Sequence, residues 1–169
     1  TEAKDLIDQC RQQINNIITY RNFSDVKLFG AFEIDVKSPS QVKAKPKASQ
    51  VLTALGMDMS NRDDAYLVHL HALVDLGSHT KDEFRKALTG VFNKPYQVRM
   101  EWHYDKPKNE NLKAIAGYMF KFRTQYSDNL YGNEKEGKAR YGSFYEPQLL
   151  RSYVKLIHQL IPNNRLSCI

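Results

Sequence analysis

The stretch Ala65-Tyr66-Leu67-Val68-His69-Leu70-His71-Ala72-Leu73-Val74 decides the fold. It is too short and too rich in strand formers to favour a helix, and Gly77 ends it, so it reads as a β-strand. Residues two apart on a strand point the same way. Tyr66, Val68, Leu70, Ala72 and Val74 therefore form one continuous apolar face, and Leu67, His69, His71 and Leu73 form the other, free to line a cleft. Upstream, Val26 to Val36 sets Val26, Leu28, Gly30, Phe32, Ile34 and Val36 against Lys27, Phe29, Ala31, Glu33 and Asp35. That is the period of a half-buried strand, with Glu33 and Asp35 on one face.

Helical patterns surround these two strands. Leu6, Ile7, Cys10, Ile14, Ile17 and Ile18 mark an amphipathic helix within Thr1 to Tyr20, and Ser38 to Ser49 reads as a basic loop leading to a short helix near Val51 to Leu55. Met59 to Asp64 is a polar turn. Thr80 is placed to cap a helix from Lys81 to about Phe92, with Glu83 completing a capping box. A third strand is expected over Tyr96 to Tyr104 and a helix over Lys113 to Arg123. Tyr131 to Gly142 reads as a loop, and Pro147 to Ile161 as a final amphipathic helix. The direct strand-to-strand links are too short for parallel crossovers. The expected class is therefore α+β, a central, mostly antiparallel β-sheet flanked by helices.

At 169 residues the chain has the size of one domain, 1–169, with a motif core at about 26–123. Its 41% hydrophobic and 26% charged residues are those of a globular chain rather than a disordered or collagenous one. No apolar run approaches the roughly 20 residues of a membrane-spanning helix, and the polar first segment has no signal-peptide core, so an intracellular, cytoplasmic protein without a membrane partner is expected. Cys10 and Cys168 lie near opposite ends with no zinc or redox spacing, which suits two reduced thiols. A formal charge of +6 with ten tyrosines and eight phenylalanines suits a nucleic-acid partner.

His69 and His71 together make a metal half-site, or, more plainly, a pair of partly exposed strand histidines. A hard cation such as Mg²⁺ or Mn²⁺ also wants oxygen. Glu33 is the first candidate for a third ligand and Asp35 the second, with Asp63 and Asp64 in reserve; each also reads as a solvated carboxylate. In Ala116-Gly117-Tyr118-Met119-Phe120-Lys121-Phe122 a helix would put Tyr118 and Lys121 about one turn apart on the same side. A phenol is a weak nucleophile at its free pKa of about 10 and needs a nearby cation, which Lys121 supplies. Lys43, Lys45, Lys47, Arg99, Lys106, Lys108 and Arg123 are candidate contacts to a nucleic-acid backbone, and Trp102 a surface for base stacking.

Three blocks, Gly30 to Val36, Val68 to Val74 and Ala116 to Phe122, stand in an order that resembles the HUH endonuclease superfamily, especially its single-tyrosine rolling-circle replication initiators. The tyrosine block looks like that family's Tyr-x-x-Lys motif. There is no second tyrosine within that helix turn, no carboxylate marks itself as third ligand, and no helicase domain follows. The resemblance implies a nuclease fold with a central antiparallel sheet, and metal-dependent nicking and joining of single-stranded DNA at an origin, with a hairpin as a possible target form. His69, His71 and a carboxylate would hold Mg²⁺ or Mn²⁺, Tyr118 would form a 5′-phosphotyrosine, and Lys121 would balance charge. A helicase would act in trans or reside on a missing domain. Single-tyrosine transposases and relaxases use the same chemistry.

Other readings fit less well. A histidine-triad hydrolase needs a third histidine where Leu73 stands, and a TIM-barrel metallohydrolase needs about 250 residues. The competitor of a different class is a noncatalytic DNA-binding module with structural histidines.

Overall fold

The computed structural model describes residues 2–39, 46–57, 59, 65–102, 105, 107–119, 125–127, 141–160 and 166–168. Among these, two long strands dominate: β1 (Lys27–Lys37) and β2 (Ala65–Asp75), paired antiparallel along their whole length. A short strand, β5 (Leu166–Cys168), adds to the other edge of β1, giving the order β2-β1-β5. Two more, β3 (Gln125–Ser127) and β4 (Tyr141–Phe144), form a separate antiparallel ribbon. The helices are α1 (Glu2–Tyr20), α2 (Pro46–Ala54), α3 (Lys81–Thr89), α4 (Lys108–Met119) and α5 (Pro147–Leu160). The class is α+β with antiparallel pairing throughout.

The apolar face of the sheet carries the core. Phe32, Ile34 and Val36 of β1 pack with Ile7 of α1 and Tyr153, Ile157 and Leu160 of α5, and Tyr66, Val68 and Leu70 of β2 close over them. Toward the other end, Val26 and Leu28 meet Ile14 and Ile17 of α1 and Phe84 and Leu88 of α3. Each such side chain contributes about 1.5–3 kcal/mol when fully buried. The Tyr153 hydroxyl also donates to the Ile34 carbonyl at 3.2 Å, tying α5 to β1. Thr80 and Glu83 make the reciprocal capping box that starts α3. Gly30 lies close against β2, since a Cβ there would lie 2.7 Å from the His71 carbonyl oxygen.

Several sequence expectations are corrected. Residues 96–102 form no strand. Tyr96 has φ +66°, and the alternation is satisfied instead by Val98 and Met100 packing on the α1/α3 cluster. The helix beginning at Lys81 stops at Thr89, with Gly90 as its C-cap and the Val91 amide turning back to the Leu88 carbonyl three residues before it. α2 starts at Pro46 rather than near Val51, and α4 at Lys108 rather than Lys113. Tyr141 and Gly142 belong to β4, not to a loop. Finally, β1 is buried on both faces from Gly30 to Lys37 rather than half-buried, with Glu33 2%, Asp35 5% and Lys37 1% exposed.

Candidate functional site

The register of β1 on β2 sets Glu33 opposite His69 and Ala31 opposite His71, so the Glu33, Asp35 and Lys37 face of β1 is the histidine face of β2. Leu52 of α2 and Met59 close one end of that face, against Ala65 and Leu67. Glu33, Asp35 and Lys37 are buried on this face, so each depends on its polar neighbours.

Glu33 and His71 are in contact: Glu33 Oε2 lies 2.8 Å from His71 Nε2, with the carboxylate buried and the imidazole about one-third exposed. Two donors bound at right angles to one cation at about 2.1 Å stand about 3 Å apart, so this pair is already near the spacing of adjacent metal ligands. The His69 and His71 rings stack at 6.0 Å between centroids with 23° between planes. Among the described residues no three His, Cys, Asp or Glu side chains form a group that could hold a metal ion as they stand. Chemically the set fits a divalent ion: two imidazoles and a carboxylate, with His69 held neutral. Loss of water around His69 pushes its pKa down to about 4, outweighing the opposing pull of the Asp35 and Glu33 carboxylates. A neutral imidazole is the form that binds metal.

Asp35, the second candidate ligand, is engaged elsewhere. Its Oδ2 pairs with Lys37 Nζ at 2.6 Å, and its Oδ1 is buried with no hydrogen-bond partner among the described residues. Lys37 was not singled out in the sequence, although Glu-x-Asp-x-Lys over 33–37 places all three on one strand face. Also unread in the sequence was a cluster that ties the turn before β1 to the turn after β2. The Ser78 amide and hydroxyl both donate to Asp25 Oδ2 at 2.7 Å, and His79 Nε2 lies 3.0 Å from Asp25 Oδ1. The Ser78 hydrogen bonds lower the Asp25 pKa to about 2.

Tyr118 is the next-to-last residue of α4, a helix that packs against both β1 and β2; only its backbone belongs to the described structure. Lys121, Arg123, Lys106, Lys43, Lys45, Asp63 and Asp64 lie outside the described residues. Lys108 opens α4 and Lys47 is the second residue of α2. Arg99 Nε is 3.1 Å from Glu101 Oε1, both side chains exposed, so this guanidinium already has a carboxylate neighbour to compete with a phosphate. Trp102 is 68% exposed with Lys81 Nζ 5.4 Å from its ring centroid, a cation over an open aromatic face. The chain matches no family model, no curated protein and no solved structure.

Proposed function

We propose that the protein is a single-tyrosine HUH-type nuclease that nicks and rejoins single-stranded DNA through a 5′-phosphotyrosine, in the manner of rolling-circle replication initiators. The observation that carries this reading is the Glu33–His71 contact of 2.8 Å, in register beside His69. The helix bearing Tyr118 supports it. α4 packs on both β1 and β2, the two strands that carry Glu33, His69 and His71.

On this reading His69, His71 and Glu33 hold a divalent cation, Mg²⁺ or Mn²⁺, which when bound supplies Lewis-acid polarisation of the scissile phosphate. The Tyr118 phenol gives up its proton, its oxygen forms the new P–O bond in line, the P–O3′ bond breaks, and the departing 3′ oxygen takes up a proton. One phosphodiester is exchanged for another, so the reverse reaction rejoins the strand. Lys121 neutralises charge on the phosphate or the phenolate. Trp102, with Lys81 beside it, offers a base-stacking surface, and Lys43, Lys45, Lys47, Arg99, Lys106, Lys108 and Arg123 supply charge for the DNA backbone. A helicase acting in trans belongs to the same proposal.

The test is an adduct assay. Wild-type protein incubated with labelled single-stranded origin DNA and Mn²⁺ gives a denaturation-resistant band, and Tyr118→Phe folds and binds DNA but gives none. A gel shift without any adduct in the wild type would favour a noncatalytic binding module. A normal adduct yield in Tyr118→Phe would move the nucleophile to Tyr126 or Tyr131.

A further inference from the structure

Among the described residues Lys37 is one of the largest side chains with less than 2% of its surface exposed. A lysine so placed loses nearly all its hydration, and the structure shows what replaces it: Asp35 Oδ2 at 2.6 Å, two residues back on the same strand. Glu33, two residues further back, contacts His71. One strand face therefore carries two carboxylates with different occupations, one facing an imidazole and one facing an ammonium.

We propose that Lys37 is a positioning residue that withholds Asp35 from the cation, so that the metal is held through Glu33, His69 and His71 alone. The inference rests on the metal reading above and specifies which carboxylate serves it. Two carboxylates and one ammonium give the β1 side of this face one net negative charge. Without Lys37 there are two, and the charge of a divalent ion is matched in full. The buried Asp35 would then be free to turn both oxygens toward the histidines as an additional hard ligand. Lys37 thus keeps the site short of charge and of oxygen donors, leaving the cation room for a phosphate oxygen.

The experiment is Mn²⁺ titration by calorimetry on the full chain, with circular dichroism to confirm folding. The paired variant Asp35→Asn/Lys37→Met removes both charges together, the change that buried ion pairs tolerate best, and should bind Mn²⁺ within about threefold of wild type. Lys37→Met alone should bind roughly tenfold more tightly, because the released carboxylate joins the ion. Glu33→Gln should lose about tenfold or more. A loss of tenfold or more in the paired variant makes Asp35 a ligand and overturns the proposal, as does Lys37→Met that folds and binds no more tightly than wild type. If Lys37→Met does not fold, the paired variant decides alone. Wild-type protein that binds no Mn²⁺ overturns the metal reading itself, whatever the variants do.

Discussion

Replacing Glu33 with Gln separates the two roles of its carboxylate. The side chain is 2% exposed and sits 2.8 Å from His71 Nε2. Glutamine keeps its length and an oxygen that accepts from the imidazole N–H, but removes the charge. Hydrogen bonds to charged groups contribute about 1.5–3 kcal/mol and neutral ones about 0.5–1.5, so the difference is about 1–1.5 kcal/mol. The 30% exposure of the His71 side chain screens that gain and puts the expectation near the lower end, about 1 kcal/mol, in metal-free protein. With Mn²⁺ saturating, the loss should grow by at least about 1.4 kcal/mol, the equivalent of tenfold weaker binding. Urea unfolding with and without Mn²⁺ measures both quantities, and a double-mutant cycle with His71→Gln isolates the pair. A coupling below about 0.3 kcal/mol in the metal-free protein would refute the contact, and equal losses with and without Mn²⁺ would refute ligation.

Three further outcomes are expected. The His69→Ala/His71→Ala variant should keep its circular-dichroism spectrum and lose Mn²⁺ binding and cleavage; metal binding as in wild type would end the cleft assignment. Gly30→Ala should cost about 1–3 kcal/mol by denaturant midpoint, because the new Cβ would lie 2.7 Å from the His71 carbonyl oxygen and 2.8 Å from the Ala72 Cβ, and strand separation must yield. Burial raises the Cys10 thiol to about 11. In a Cys168→Ala background it should react with a disulfide reagent at pH 8 far more slowly than a free thiol. The unfolded thiol, nearer 9, loses its proton first, so this contribution is intact below about pH 9 and declines toward pH 11, a decline that Cys10→Ala should lack.

How much of this was legible depended on local signals. β1 was readable from the alternation of Leu28, Gly30, Phe32, Ile34 and Val36 with its other side, and β2 because its run of strand formers is too short for a helix and ends at Gly77. The start of α3 was readable because Thr80 and Glu83 carry a capping box. α4 began earlier than expected because Asn109, Glu110 and Asn111 carry no apolar stripe; its start is marked instead by Pro107, whose carbonyl accepts from Glu110 and Asn111. Val98 and Met100 misled because alternation reports which side chains are buried, not whether the backbone finds a ladder partner. β3, β4 and β5 span three or four residues each, too few for any periodicity to register. In the candidate site, the sharing of one face by Glu33, Asp35, His69 and His71 followed from spacing once the strands were neighbours. Which carboxylate meets which partner did not, because that depends on register and on Lys37.

The two faces of β1 divide the energetics of the protein. Its apolar face supplies core contacts with α1, α3 and α5, where burial is favourable without any specific partner. Its other face buries Glu33, Asp35 and Lys37, and for such groups the loss of hydration offsets most of what their mutual attraction returns. Well-packed apolar residues of similar volume would hold two strands together at least as well. Stability therefore does not account for three ionisable side chains at alternate positions facing two histidines. The proposed site for a charged ligand would account for them, because there buried, pre-oriented charges act where water cannot screen them.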